Sequence, residues 1–321
     1  MHLISPSNLT ISQITRVLEY SRDPDYGNRR ALQLARSLPF YEKPWLATAF
    51  FEPSTRTKLS FHAAASDAGF RVLDLPGSSS LVKGETQEDT VRNMLEISDI
   101  AVMVIRSKDE TLIYRMSEEY PEVSFINAGN GSSHHPTQAL GDLLTLAEHF
   151  EGWRNLPGKA VTILGDVQSS RVANSCKELF EMFNMTVCFG GPKDLLPTHP
   201  HFSSTRLYEN KEEALAASDV IMMLRIQHER KKFPSDAIDK ARRERQMQEW
   251  KVTEDDLFRY PDLRVMHPGP VNRGVELTDE ALDGMQSLVL KQVRSGYRMR
   301  KALLEVLLED RQTALLRESL G

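Results

Sequence analysis

The sequence predicts an α/β protein of two domains, each a parallel β-sheet flanked by helices, with a C-terminal helix that packs back on the first domain. Three observations carry this expectation. Apolar runs alternate with amphipathic segments along the chain. The runs are continuous, as in Ile100-Ala101-Val102-Met103-Val104-Ile105, which suits strands buried on both faces. The alternation breaks once, at the turn-rich Glu151-Gly152-Trp153-Arg154-Asn155-Leu156-Pro157-Gly158, and then restarts. Strands and helices joined by short links imply right-handed crossovers and parallel sheets. The 321 residues accommodate two domains of ordinary size.

Taken in order, Thr10-Ile11-Ser12-Gln13 reads as a capping box, and Ile11, Ile14, Val17 and Leu18 form a helical stripe behind it. The first domain, 1–150, carries strands at 45–51, 70–75, 100–105 and 123–127 and helices at 55–68, 86–98, 109–119 and 135–149. The second, 151–286, carries strands at 160–165, 185–190, 219–224 and near 263–266, with helices at 170–183 and near 211–217. The last helix, 287–310, is long enough to dock across the first domain. The polar stretch from Glu229 to Leu257 contains the basic run Lys240-Ala241-Arg242-Arg243-Glu244-Arg245. Asp236, Asp239, Glu244 and Glu249 are interleaved with it, which favours a solvated helix in a mobile, lid-like loop over a nucleic-acid patch.

Bulk properties narrow the function. A net charge of -5 argues against a nucleic-acid or membrane-surface binder. No apolar run approaches the roughly 18 residues of a bilayer span, and Met1-His2-Leu3-Ile4-Ser5-Pro6 does not read as a secretory signal. Cys176 and Cys188 have neither metal-ligand nor redox-pair spacing, which fits a reducing cytoplasm. The expectation is a soluble cytoplasmic enzyme or small-ligand binder without a metal.

Ligands of an α/β sheet bind at the carboxyl ends of its strands, so the residues following each strand matter most. After 45–51 come Ser54, Thr55, Arg56 and Thr57, a strand–loop–helix corner with free amides, hydroxyls and a guanidinium, suited to phosphate. The plainer reading is a Ser/Thr cap with an arginine in solvent. After 70–75 come Ser78-Ser79-Ser80-Leu81-Val82-Lys83-Gly84-Glu85-Thr86, and after 100–105 comes Arg106. After 123–127 come His134, His135, Pro136, Thr137 and Gln138, of which His134 is assigned a structural role. In the second domain the strand ends lead to Gly165-Asp166-Val167-Gln168-Ser169-Ser170-Arg171, to Arg225-Ile226-Gln227 and to His267-Pro268-Gly269-Pro270. Each cation alone could be a rim ion pair or a solvated turn. Gathered at strand ends, they point to a site for two anionic ligands.

These motifs, in this order, resemble the aspartate and ornithine carbamoyltransferases, and within them the aspartate enzymes, from Thr10 to the final helix. Ser54-Thr55-Arg56-Thr57 is similar to their carbamoyl phosphate loop. Ser80 and Lys83-Gly84-Glu85-Thr86 are similar to a loop lent by a neighbouring subunit, which implies a homotrimer with shared active sites. Arg106, His135 and Gln138 correspond to the rest of the carbamoyl phosphate set, and Arg171, Arg225 and Gln227, with Lys83, to an aspartate clamp. Pro268 and Gly269 would offer backbone carbonyls to the substrates' amino groups. The ornithine enzymes have cysteines where Thr137 and Pro268 stand here, and their Ser-Met-Gly element is absent from this chain. Two carboxylates on aspartate call for arginine forks. Lys58 and His62 depart from the arginine and glutamate more usual in the family, which bears on helix packing or a subunit contact.

The resemblance implies transfer of the carbamoyl group from carbamoyl phosphate to the α-amino group of L-aspartate, in de novo pyrimidine biosynthesis, with no cofactor. Arg56, Thr57, Arg106, His135 and Lys83 would be catalytic. Ser54, Thr55, Arg56, Thr57 and Gln138 would hold carbamoyl phosphate, with Ser80 and Lys83 completing the phosphate pocket. Regulatory or dihydroorotase-like subunits are further partners it allows. The alternatives are a carbamoyltransferase for another amino acid, or a silent homologue acting as a scaffold.

Overall fold

Residues 1–23, 33, 36–75, 84–198, 203–226 and 245–318 of the computed structural model are described below. The chain divides into two units, Met1–Leu144 with Ser295–Gly321, and Thr145–Arg294. In the first, β1 (Trp45–Phe50), β2 (Arg71–Asp74), β3 (Ile100–Ser107) and β4 (Ser124–Asn130) pair in parallel in the order β2-β1-β3-β4. The helices are α1 (Ile11–Arg22), α2 (Thr55–Ala68), α3 (Gln87–Ile97), α4 (Leu112–Glu119) and α5 (Pro136–His149, which runs across the unit boundary). Met103, Ile105, Phe125, Ala47 and Ala49 from the strands pack with Val91, Met94, Leu112 and Met116 from α3 and α4, burying one face of the sheet.

The predicted capping box of α1 is present. Thr10 Oγ1 accepts from the Gln13 amide at 3.2 Å, and Gln13 Oε1 accepts from the Thr10 amide at 2.9 Å. The α2 helix ends where Gly69 takes a left-handed φ of 100°, a conformation glycine adopts without a Cβ penalty. The long C-terminal helix α10 spans Val289–Glu318, and its part from Ser295 onward belongs to the first unit, as the predicted docking requires. Arg16 on α1 forks onto Glu309 and Asp310, at 2.8 Å each, while Arg300 reaches Ser60 on α2.

The second unit is also a parallel sheet. Its strands β5 (Ala160–Leu164), β6 (Thr186–Gly190), β7 (Leu207–Tyr208), β8 (Val220–Met223) and β9 (Arg264–Met266) run in the order β7-β6-β5-β8-β9. Helices α6 (Arg171–Met182), α7 (Lys211–Ala216), α8 (Glu254–Arg259) and α9 (Asp279–Asp283) accompany them. Strand β7 and helices α8 and α9 are additions to the predicted elements. Each is too short to produce a readable period. One expectation needs correcting. Residues 227–244 lie outside the described residues; at the end of the same polar stretch 245–250 is helical with Arg245, Gln248 and Glu249 exposed, but it is anchored rather than wholly solvated, because Met247, Trp250 and Val252 are buried in the core with Leu164, Ile221 and Met223. Cys176 and Cys188 are buried free thiols. No helix among the described residues is long and apolar enough to cross a membrane.

Both strand orders contain a reversal. The chain passes from β1 outward to β2 and then back to β3 on the other side of β1; likewise it leaves β5 for β6 and β7 and returns to β8. At such a point the connections diverge to opposite faces and leave a crevice at the carboxyl ends of the strands. The two crevices are therefore at β1/β3 and β5/β8.

Candidate functional site

The β1/β3 crevice is built from the strand ends. Phe50 pairs with Arg106 across β1 and β3, and the Phe51 amide donates to the Arg106 carbonyl at 2.8 Å. Ser54 is the N-cap of α2, and Thr55, Arg56 and Thr57 form its first turn. The caps Thr10, Thr86, Ser170, Asn210, Thr253 and Thr278 each accept a hydrogen bond from their own helix, whereas Ser54 makes none. The Ser54 hydroxyl is therefore not spent on capping, and it lies with the first-turn amides at the positive end of the helix. Arg56 is exposed and Thr57 buried. A cavity of about 590 Å³ opens beside the loop, lined by Phe50, Phe51, Glu52, Ser54 and Thr55 together with Lys58, His62 and Asp74.

Arg106 does not point freely. Its Nη1 donates to the Ala128 carbonyl at 3.1 Å, and its Nε lies 3.8 Å from Glu52 Oε2, both side chains being about 13 % exposed. A planar guanidinium held at two edges has a fixed direction. Next along the sheet, the β4–α5 turn is organised by Asn127 and Asn130. Gly129 donates to Asn127 Oδ1 at 2.7 Å, and His134 donates its amide to Asn130 Oδ1 at 2.9 Å while its Nδ1 meets Ser133 Oγ at 2.7 Å. His134 thus serves the turn. His135 follows, 5 % exposed, immediately before the proline that opens α5. Within the first turn of that helix, Gln138 Nε2 donates to Asp142 Oδ1 at 2.9 Å.

Lys58 and His62, the departures from the family pattern, share one cluster. Lys58 Nζ pairs with Asp74 Oδ2 at 2.7 Å, and Thr48 Oγ1 donates to Asp74 Oδ1 at 2.6 Å. His62 Nε2 lies 3.1 Å from Thr48 Oγ1. Burial lowers the His62 pKa, Asp74 opposing this and Lys58 reinforcing it. These residues tie α2 to β1 and β2 at the cavity wall.

In the second unit Ser170 caps α6, its Oγ accepting from Ala173 at 3.1 Å, and places Arg171 at the first helical position, 1 % exposed. Arg225 follows β8 directly beside it in the strand order, with Nη1 donating to the Ile226 carbonyl at 3.3 Å. The crevice between is tight: a Cβ on Gly165, whose φ is 115°, would lie 2.4 Å from the Leu224 carbonyl oxygen. Beyond β9, the Gly269 amide donates to His267 Nδ1 at 2.8 Å. That bond leaves the neutral-ring proton on Nε2, which lies 3.9 Å from Glu276 Oε2. Glu276, 1 % exposed, accepts from the Asn272 amide at 2.7 Å and from Asn272 Nδ2 at 2.8 Å. Burial pushes the Glu276 pKa up, while the Asn272 bonds and the charge of Arg225 pull the other way.

The structure therefore brings Ser54, Thr55, Arg56, Thr57, Arg106, His135 and Gln138 to one set of adjacent strand ends, and Arg171, Arg225, Pro268 and Gly269 to another. Ser80, Lys83 and Gln227 lie outside the described residues. Four supporting residues escaped the sequence reading: Glu52, Asp142, Glu276 and Arg300. Asp142 alone left a sequence signal, standing one helical turn (i, i+4) after Gln138. Among the described residues no group of three or more His, Cys, Asp or Glu side chains could hold a metal ion.

Comparison with known proteins gives the family. The family of the aspartate/ornithine carbamoyltransferase carbamoyl-P binding domain matches residues 1–148, and that of the Asp/Orn binding domain matches 157–307. A Sulfurovum protein named aspartate carbamoyltransferase catalytic subunit is 38 % identical over 312 residues, covering 96 % of this chain and 98 % of its own. A Helicobacter pylori protein of the same name is 36 % identical over 314 residues, with 96 % and 98 % covered. Among solved structures, the catalytic subunit of M. jannaschii aspartate transcarbamoylase superposes with a TM-score of 0.76 at 30 % identity, covering 96 % and 98 % of the two chains. The Trypanosoma cruzi aspartate transcarbamoylase in complex with carbamoyl aspartate and phosphate gives 0.75 at 25 % identity, with 95 % of each chain covered. With both family domains matched in order, this chain belongs to the aspartate/ornithine carbamoyltransferase family.

Proposed function

We propose that the protein is the catalytic chain of an aspartate carbamoyltransferase, forming N-carbamoyl-L-aspartate and phosphate in pyrimidine biosynthesis. The observation that carries this is the pair Arg171 and Arg225 at the β5/β8 switch point, a dicarboxylate clamp where an ornithine side chain would need an acceptor. In this reading residues 1–150, with the C-terminal helix, bind carbamoyl phosphate, and 151–286 bind aspartate. Ser54, Thr55, Arg56 and Thr57 hold the phosphate at the α2 N-terminus, and Ser80 and Lys83 from a neighbouring subunit complete that pocket. Arg106, Thr57 and His135 polarise the carbamoyl carbonyl. Gln138, with the carbonyls of Pro268 and Gly269, receives amino groups. Arg171, Arg225, Gln227 and Lys83 seat the aspartate carboxylates.

The α-amino nitrogen attacks the carbamoyl carbon, the C–N bond forms, and the C–O bond to phosphate breaks. The leaving phosphate accepts the proton released by the amine, so no protein base is required. Positioning two anions and stabilising charge on the carbonyl oxygen supply the rate enhancement. The enzyme works as a cytoplasmic homotrimer with shared sites, open to regulatory partners.

The test is ureido product from carbamoyl phosphate with aspartate, and in parallel with ornithine. Product from aspartate alone is expected; product from ornithine alone would overturn the clamp assignment. Shared sites are tested by mixing Lys83→Ala and Arg56→Ala proteins, which should regain activity. No recovery despite proven subunit exchange would refute them.

A further inference from the structure

Beneath the β1/β3 crevice lies a charged group for which the reaction has no direct use. Arg300, on α10, is 5 % exposed. Its Nη1 donates to Ser60 Oγ on α2 at 3.1 Å, and its Nη2 lies 3.5 Å from Thr137 Oγ1 on α5. The guanidinium stacks over Phe61, 5.2 Å from the ring centroid. Burial draws the Arg300 pKa down to about 10, and the negative charge of Asp142 acts against that fall, so the group stays cationic at neutral pH. Two glycines make room for it. A Cβ on Gly141 would sit 2.9 Å from the Gly296 Cα, and a Cβ on Gly296 would sit 2.9 Å from Arg300 Nη1. The close crossing of α5 and α10 thus sets a buried cation against both helices that begin at the crevice.

Asp142 itself is fully buried and accepts from Gln138 Nε2. The Asp142 Oδ1 that faces Gln138 is the acceptor of that bond. The Gln138 amide must turn its NH2 toward Asp142, because the flipped rotamer would set two acceptors against each other. Its carbonyl oxygen is then directed to the other side. A carbamoyl group differs from an acetyl group by carrying NH2 where acetyl carries CH3, and only the former can donate to that oxygen.

We propose that Asp142 and Arg300 are positioning residues for ligand selectivity, fixing the Gln138 amide so that the site accepts carbamoyl phosphate and discriminates against acyl phosphates lacking an N–H donor. The inference rests on carbamoyl phosphate being the ligand of the first unit. Neither residue touches substrate. Arg300 acts by supplying the counter-charge of Asp142, and Asp142 acts by leaving Gln138 a single orientation. An asparagine in place of Asp142 offers both a donor and an acceptor, so the amide could adopt either orientation.

The experiment measures dissociation constants of carbamoyl phosphate, acetyl phosphate and inorganic phosphate, by calorimetry, for the full-length protein and its variants. For the unmodified protein a preference for carbamoyl over acetyl phosphate is expected. Asp142→Asn should lower that preference about tenfold, the effect of one lost hydrogen bond, while phosphate affinity changes less than about twofold. Gln138→Met should lose the same preference, and adding Asp142→Asn to it should do nothing more. Arg300→Lys, which keeps the charge, should retain most of the preference that Arg300→Met loses. Should the Arg300→Met chain fail to fold, the near-isosteric Asp142→Asn still decides. Parallel weakening of all three ligands, an unchanged preference, or additive effects in the double variant would overturn the proposal. An unmodified protein that binds phosphate but shows no preference for carbamoyl phosphate would instead overturn the proposed function on which it rests.

Discussion

Gly141→Ala sets two opposing terms against each other at one position. On a solvent-facing helix the change would stabilise by up to about 1 kcal/mol through helix propensity. Gly141 lies inside α5, and its added Cβ would fall 2.9 Å from the Cα of Gly296 and 3.3 Å from its nitrogen. Both are backbone atoms of α10, so relief requires moving a helix that is pinned to α1 through Arg16, Glu309 and Asp310. Overpacking of this kind costs about 1–3 kcal/mol, and the crossing is tighter than ordinary contact by several tenths of an ångström. The net expectation is destabilisation by about 1–2 kcal/mol despite the propensity gain. Urea unfolding followed by circular dichroism reads it, the midpoint falling with the slope preserved. Since α5 carries Gln138 and begins directly after His135, the KM for carbamoyl phosphate should rise in the same variant while that for aspartate moves little. A Gly141→Ala protein as stable as the original, or more so, would refute the close crossing.

Three further outcomes test other parts of the site. Arg106→Lys cannot span both Glu52 and the Ala128 carbonyl, and loss of the directed fork should cut kcat about 100-fold or more in steady-state rates; a change under threefold would remove Arg106 from the carbonyl. Ser170→Ala deletes the cap of α6, costing about 1 kcal/mol in denaturant unfolding, and should raise the KM for aspartate because Arg171 is the first residue of that helix; an unchanged KM would separate Arg171 from aspartate. Asp256 is 1 % exposed; burial pushes its pKa up, but hydrogen bonds from Lys211 and Thr253 outweigh this and hold it below the ordinary aspartate range. A depressed folded pKa means stability present above the unfolded value and lost as pH falls through the folded one. The stability advantage over Asp256→Asn should therefore hold at neutral pH and shrink below about pH 4 in thermal melts, and a constant difference across that window would contradict the pairing.

The alternation of apolar runs made both sheets legible, because strands covered on two faces must be continuously apolar. The edge on which the candidate site residues gather was legible for the same reason: Arg106, His135, Arg171 and Arg225 each follow such a run. Strand order was not, since pairing β1 with both β2 and β3 depends on contacts between distant segments. Arg300 was invisible for a related reason. Its role arises from a helix crossing that joins Gly141 to Gly296, and nothing local distinguishes it from the half-buried arginines Arg298 and Arg311 on the same helix. Met247, Trp250 and Val252 were hidden by composition, a short apolar stripe at the end of a charged stretch whose charge dominated the reading.

The supporting acids explain how arginine-rich crevices persist before any anion arrives. Arg106 has Glu52 at its edge, the field of Asp142 acts on Arg300, and the charge of Arg225 acts on Glu276. Burying charge is costly, and a pair offsets that cost only when its remaining hydrogen-bonding positions are filled. Asn272 does this for Glu276 with two bonds, and Gln138 fills one oxygen of Asp142. Glu52 fixes the direction of Arg106 and Asp142 that of the Gln138 amide, each at the expense of net positive charge in a crevice proposed to hold anions. Affinity is given up for orientation. For a reaction that must align an amine with a carbonyl carbon, that exchange favours the rate, because only the aligned geometry lowers the barrier.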